Sequence, residues 1–472
     1  MPDTKTIDVL VAEIGSTTTV INAFDGVDGP DPVFLGQGQA RTTVEEGDVG
    51  VGLELALTDL KESLGCRNLE WRDMLATSSA AGGLRMTVHG LVYDMTVRAA
   101  REAALGSGGV IKMVTAGKLR RSELKKVQEL APNIIFLAGG TDYGERETAL
   151  FNFEALSAAV PQIPVIYAGN IENRDEIALL AEEAGVRVYF TENVYPSLDQ
   201  LNIDPARTLI HDVFEEHIVH SPGMGRIRER VNGVILPTPG AVMECAMIAR
   251  EMLGDLLVVD VGGATTDMHS VCEGSPSVSE ILMEAEPFAK RTVEGDLGVF
   301  VNRAHLVEKF DEQEAKRLIP RAEHFLAHGQ KIPTDPEEIA FVRCLTQKAC
   351  DVALDRHAGQ LVDLYGPTGR VTLAKGKDLT TVGTVIGTGG ALTRLPGGAE
   401  ILGQALKRRE LRKLFPPQDA RVLLDGDYIM ASLGALSRHH PRAARRLLLK
   451  SLGVFREGLV QEGLIQEGAS EG

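Results

Sequence analysis

The chain has 472 residues, with 49 Lys plus Arg against 66 Asp plus Glu, for a formal net charge of −17. At roughly 150 residues per domain that length predicts about three domains, and a 44% apolar content gives ample core material. So acidic a balance argues against non-specific binding to nucleic acid or an anionic membrane, and 5% aromatics excludes a base-stacking platform.

The chain runs almost directly into residues 7–12 (I-D-V-L-V-A), a short strand rich in branched side chains, with no long h-region of a signal peptide ahead of it. The strand ends at Glu13-Ile14-Gly15-Ser16-Thr17-Thr18-Thr19, and a second apolar run follows at residues 20–24, which predicts a β-hairpin. About 247 residues later the pattern returns: strand, Asp260, Gly262-Gly263, Thr265-Thr266 and a returning strand. Acid, glycine and threonines stay in register between the two, so we read an internal duplication.

Between the hairpins the rhythm changes. Residues 134–137 run into Gly139-Gly140, residues 165–168 into Gly169-Asn170, and residues 186–190 into Thr191-Glu192-Asn193. Helical stretches separate them, with Asn173 placed to cap the second. Strand–glycine–helix repeated in this way predicts βαβ units on a parallel sheet. A third glycine cluster, Gly387-Thr388-Gly389-Gly390, follows a strand late in the chain. Beyond it, a strand at residues 421–424 leads through Asp425-Gly426-Asp427 into a helix of small residues.

Residues 401–450 reverse the overall charge, with eleven Lys or Arg against four Asp or Glu. The nearby leucines favour a solvated helix face there over a partner-binding patch. The last residues repeat Glu-Gly, which predicts a flexible acidic tail. Five cysteines (Cys66, Cys245, Cys272, Cys344 and Cys350) form no C-x-x-C pair and read as reduced thiols. No apolar stretch approaches the ~20 residues of a membrane span, so a soluble cytoplasmic protein is expected.

The hairpins carry the chemistry. Glycine lets the backbone turn, and successive N–H groups with Ser or Thr hydroxyls make a nest for phosphate oxygens. An acid at the strand end can face phosphate only through a hydrated Mg²⁺. Two facing hairpins would therefore grip a nucleotide's phosphates, and the third glycine cluster would admit the adenosine. No Walker A loop and no G-x-G-x-x-G fingerprint occurs.

These three features resemble the actin, sugar kinase and heat-shock ATPase superfamily. That implies an α/β fold of two duplicated ribonuclease-H-like (actin/hexokinase-type) lobes with an inserted βαβ module. Residues 233–242, ending in a helix toward the second hairpin, resemble the superfamily's connecting motif. Glu13 departs from the Asp more usual in the first hairpin. Longer runs narrow the likeness: residues 76–86, Phe136-Leu137-Ala138-Gly139-Gly140-Thr141-Asp142-Tyr143-Gly144-Glu145, Tyr167-Ala168-Gly169-Asn170-Ile171-Glu172-Asn173 and residues 290–298. Together they resemble the glutamate mutase (methylaspartate mutase) accessory protein family, MutL/GlmL, over residues 7–440.

The resemblance implies an ATPase that reactivates an adenosylcobalamin-dependent mutase by releasing damaged cobalamin, its partner being that mutase. A small-molecule kinase on the same scaffold is the alternative. Carried onto this chain, Glu13 and Asp260 are expected as Mg²⁺ partners. Gly15, Ser16, Thr17, Thr18, Gly262, Gly263 and Thr265 would line the phosphates of ATP, and Gly387, Gly389 and Gly390 the adenosine. Asp267 would steady the second hairpin or orient water, or else face solvent as a strand-edge acid. Thr238 would lie near the γ-phosphate or merely begin a helix. The loop at residues 290–298 is either a contact for nucleotide or partner, or a structural turn. The expected organisation is 1–92 for the start of lobe I, 93–205 for the inserted module, 206–255 for the rest of lobe I with the connecting helix, 256–455 for lobe II, and 456–472 for the tail.

Overall fold

The computed structural model describes residues 4–15, 18–43, 48–79, 84–198, 200–218, 224–318, 322–330, 332–366, 369–408 and 410–454. The predicted tail at 456–472 lies outside the described residues.

Strand β1 (Thr4–Ile14) pairs antiparallel with β2 (Thr18–Asp25), which pairs antiparallel with β3 (Val33–Arg41). On its other side β1 runs parallel to β4 (Asn68–Ser78). A parallel neighbour needs a crossover. Helix Val49–Leu64 supplies it, opened by the Asp48 carboxylate on the Gly50 N–H and closed at Gly65 with φ of 65°. Only glycine adopts that left-handed turn without strain.

The inserted module contains β5 (Arg85–Gly90), β6 (Val110–Ala116), β7 (Ile134–Leu137), β8 (Val165–Tyr167) and β9 (Val188–Phe190), all parallel. Their spatial order is β6-β5-β7-β8-β9, a doubly wound arrangement. Strand β5 precedes residue 93, where the sequence reading begins the module. Its polar residues hide it: the buried His89 ring is hydrogen-bonded to Thr87 (3.0 Å) and Thr115 (2.7 Å), so the strand has no continuous apolar run.

The chain then returns to the first sheet. Strand β10 (Ile235–Pro237) lies parallel to β4, completing the order β10-β4-β1-β2-β3. Lobe II repeats this plan with β11 (Leu256–Val261), β12 (Thr266–Val271) and β13 (Ala289–Glu294) in one antiparallel row. An excursion through helix Pro336–His357 and the hairpin β14 (Gln360–Gly366) and β15 (Gly369–Lys375) leads to β16 (Thr384–Thr388) and β17 (Arg421–Leu424). The order is β13-β12-β11-β16-β17, position for position that of lobe I. The fold is α/β, with two duplicated ribonuclease-H-like lobes and an inserted parallel module.

One apolar core spans both lobes. It joins Val9, Val11 and Phe24 of lobe I to Leu256, Val258 and Ile386 of lobe II through helices Thr238–Leu253 and Met430–Ser437. The helices approach so closely that a Cβ on Gly434 would stand 1.9 Å from the Ala241 carbonyl oxygen. The cationic stretch of residues 401–450 resolves into local pairs: Arg438 with Glu244, Arg445 with Glu251 and Lys450 with Asp31. Leu447 and Leu448 of helix Pro441–Ser451 are buried beneath it. Among the described residues no helix is long and apolar enough to cross a membrane, and the five cysteines are free thiols.

Candidate functional site

The two hairpins turn in the same way. The Gly15 N–H donates to the Thr18 carbonyl at 3.0 Å, and the Gly262 N–H to the Thr265 carbonyl at 2.9 Å. Glu13 and Asp260 therefore occupy equivalent places, two residues before each turn glycine. Ser16 and Thr17 lie outside the described residues. The second turn has its own brace. Val299 N–H donates to the Gly262 carbonyl (3.2 Å), Phe300 and Val301 N–H to the Gly263 carbonyl (2.9 and 2.8 Å), and Asn302 Nδ2 to the Ala264 carbonyl (2.9 Å). Gly298 packs against Ala264 so tightly that its Cβ would fall 2.2 Å from the Ala264 carbonyl carbon. Of the two readings of residues 290–298, the structural one describes this end of the run.

Glu13 reaches across to the other lobe. Its Oε1 accepts the Ser432 N–H at 2.9 Å, the Ser432 hydroxyl at 2.6 Å and Asn22 Nδ2 at 3.2 Å. Asn22 Nδ2 also donates to the Ser432 hydroxyl at 2.8 Å, and Gln37 Nε2 donates to Asn22 Oδ1 at 2.8 Å. Arg394 of lobe II donates to Gln37 Oε1 at 2.7 Å and to the Asp427 carbonyl at 3.2 Å, its guanidinium 5.6 Å from the Tyr428 ring centre. A polar bridge thus runs from one lobe to the other beside both carboxylates.

Burial, opposed by the Ser432 hydroxyl and assisted by the charge of Asp425, raises the Glu13 carboxyl to about 7. Asp260 is also raised to about 7, by burial first and then by Asp267 and Glu13. Its side chain has no hydrogen bond or ion pair among the described residues. The Tyr428 phenol is pushed up by burial and by Asp260, Glu13 and Asp425. Glu13 is buried and Asp260 half-buried, and an ionised carboxylate drawn away from water costs free energy unless a cation or donor answers it.

The other expected residues divide. Gly389, with φ of 84°, lies against the first acid of hairpin two: a Cβ there would be 2.4 Å from Asp260 Oδ1. Gly390 follows it and opens helix Gly390–Thr393. Gly387 stands inside β16, where a Cβ would meet Leu402 and Leu424 at 2.7 Å, so packing accounts for its small size. Thr238 begins helix Thr238–Leu253, and its hydroxyl donates to Thr77 Oγ1 at 3.1 Å; Thr77 is the β4 partner of Glu13. Asp267 is turned toward Arg291, which donates to Asp267 Oδ1 at 2.8 and 2.5 Å.

Three residues escape a reading of the sequence. Asp425 is fully buried, accepting from Thr388 (2.9 Å), from Ile429 and Met430 N–H (both 2.9 Å) and from Ser451 (2.6 Å). It caps a helix start and lends charge to the site at once. Ser432 and Asn22 look like ordinary small and strand residues. The one signal for Asp425 is that a strand ends at it directly before a helix.

Mg²⁺ fits this donor set. Hard carboxylate oxygens suit it, and the raised Glu13 and Asp260 mark a surplus of negative charge that a divalent cation would relieve. No group of three or more His, Cys, Asp or Glu forms a ready cage among the described residues. An ion that keeps several of its own waters does not need one.

Comparison with known proteins follows the same line. Residues 9–452 match the family described as MutL protein. Protein MutL of Clostridium tetanomorphum is 36% identical over 463 residues, covering 94% of this chain and 98% of that protein. Among solved structures, nucleotide-free acetone carboxylase aligns at a TM-score of 0.42 and 14% identity, over 91% of this chain and 70% of that one. Nucleotide-free diol dehydratase-reactivating factor aligns at 0.32 and 11% identity, over 92% and 99%.

Proposed function

Since this chain belongs to the MutL protein family, we propose that it is an ATP-dependent reactivating factor for an adenosylcobalamin-dependent mutase such as glutamate mutase. ATP lies between the two hairpins with Mg²⁺ beside Glu13 and Asp260. The metal, when bound, neutralises phosphate charge and polarises the terminal phosphoryl group. The turn residues Gly15, Gly262, Gly263 and Thr265 hold phosphate oxygens, and Gly389 keeps the adenosine side open next to Asp260. Thr238, set on Thr77 beside Glu13, faces the same end. The observation that carries this reading is the repeated turn with an equivalent carboxylate in each lobe, Glu13 buried and Asp260 half-buried.

The polar bridge explains how a nucleotide changes the protein. A ligand shifts a conformational equilibrium only by binding one state better than another. Phosphate oxygens would compete with Glu13 for the Ser432 hydroxyl, and Glu13 would be drawn from Ser432 toward a bound cation, so the triphosphate and the diphosphate would leave different numbers of cross-lobe bonds. The mutase senses the resulting lobe angle, and the damaged cobalamin leaves.

Asp260→Asn tests the reading. Loss of both ATP hydrolysis and reactivation of cobalamin-inactivated mutase is expected, and retention of both would overturn it. Strong stimulation of ATP turnover by a small sugar or acid would favour a kinase instead.

A further inference from the structure

Arg291 on β13 stands between the second hairpin and the inserted module. Its Nε and Nη2 donate to Asp267 Oδ1 at 2.8 and 2.5 Å, and its Nη1 donates to the Leu105 backbone carbonyl at 2.9 Å. The other oxygen of Asp267 accepts the Thr265 hydroxyl at 2.9 Å. Leu105 belongs to the last turn of helix Arg98–Gly106, the inserted module's contact with lobe II. Four groups therefore form one unbroken line: Thr265 at the phosphate turn, Asp267, Arg291, and the end of a helix in another module. Asp267 and Arg291 are 5% and 3% exposed, so water does not interrupt the line.

The receiving end is held firmly. Arg207 lies where a Gly106 Cβ would be, 2.3 Å from its Nε, and its Nη2 donates to the Ala289 carbonyl at 2.5 Å, on the same strand as Arg291. At the helix start Arg98 pairs with Glu284 (2.7 Å) and Glu286 (2.6 Å) of lobe II. A cation at a helix C-terminus is also where the helix dipole favours one.

We propose that Arg291 is a positioning residue that relays the state of the second phosphate hairpin to the inserted module. The relay rests on the reading of that hairpin as a nucleotide site. A threonine hydroxyl has one proton to donate. When it turns to a phosphate oxygen it abandons Asp267, and the buried carboxylate then leans more heavily on the guanidinium. The guanidinium is a rigid planar fork, so displacement of its Nε–Nη2 edge displaces Nη1 and the Leu105 carbonyl with it. Lysine, a compact charge on a flexible stem, can neutralise Asp267 but has no rigid fork to couple its movement to the Leu105 carbonyl.

Hydrogen–deuterium exchange of the full chain at residues 105–110 reads the relay, measured alone, with Mg·ADP and with Mg·AMPPNP. In the wild type, the exchange rate there should differ between the three conditions. Arg291→Lys should bind Mg·AMPPNP yet lose that difference. Arg98→Gln is the control: it loosens the same helix in every condition, but the nucleotide-dependent difference should survive. The relay is overturned if Arg291→Lys keeps the wild-type difference, or if the wild type binds Mg·AMPPNP and shows none. If Arg291→Lys does not fold, Asp267→Asn, which keeps the shape of the link and removes the charge that Arg291 follows, takes its place with the same two outcomes. Failure of the wild type to bind Mg·AMPPNP would instead bring down the nucleotide reading, and the relay with it.

Discussion

Glu13 on the first strand accepts both the hydroxyl and the backbone N–H of Ser432, 419 residues further along the chain and in the opposite lobe. Ser432→Ala removes the hydroxyl and leaves the backbone donor. Hydrogen bonds to an ionised carboxylate are about twice as strong as neutral ones. The substitution should therefore cost about 1–3 kcal/mol at pH 8, where Glu13 is charged, and less at pH 5. Urea denaturation at the two pH values checks this, and an equal cost at both would contradict the ionised state of Glu13.

The acid pair gives the protein an unusual pH dependence. Glu13 and Asp260 have folded-state values of about 7 against 4.5 and 3.8 in the reference state, so between these limits the folded chain binds more protons than the unfolded one. Stability then falls as pH rises through that window. Melting temperature should drop from pH 4.5 toward pH 7.5, with the slope reduced in Asp260→Asn. Mg·ATP should recover the loss at the alkaline end, because it binds the folded state and its Mg²⁺ would answer the two carboxylates. A wild-type curve rising across the window would rule out the charge surplus.

Gly389→Ala places a Cβ 2.4 Å from Asp260 Oδ1, on a backbone with φ of 84°. Strain at such a position costs about 1–3 kcal/mol, and the carboxylate must also move. Calorimetry should find Mg·ATP affinity lowered at least tenfold. Gly390→Ala, with nothing within 4 Å of the new atom, should be milder.

Gly434→Ala tests the seam between the lobes, since its Cβ would lie 1.9 Å from the Ala241 carbonyl oxygen. Overpacking of this kind costs about 1–3 kcal/mol or more. The helices must separate, so the melting temperature should fall. Small-angle scattering should show a more open apo protein. Unchanged scattering with lower stability would mean that the strain is absorbed within one lobe.

What the sequence discloses is what chain-neighbours determine. The hairpins are legible because acid, turn glycine and threonines sit side by side, and their repetition gives the duplicated lobes. Strands β7 and β8 are legible because each runs into glycine ahead of a helix, and β9 because it repeats their spacing. Strand β5 is not, because its His89 and Thr87 satisfy each other and Thr115 out of sight of any apolar pattern. The role of Ser432 is equally hidden: a hydroxyl among small residues becomes significant only when another lobe presents Glu13 to it. Asp267 shows the opposite failing. Its place in the motif points to chemistry, and the partner that occupies it, Arg291, is a residue of the neighbouring strand.

The inserted sheet leaves the first lobe after β4 and returns in β10, and these strands are paired, with Ser78 opposite Pro237. The exit and entrance of a long excursion are therefore next-door neighbours in one ladder. A junction of that geometry behaves like a socket. The excursion can begin and end there without disturbing the strand order on either side. The chain therefore enters and leaves the inserted sheet at one place, while side chains fasten that sheet elsewhere, Arg98 to Glu284 and Arg291 to the Leu105 carbonyl, so a motion of lobe II pulls on it far from its own hinge.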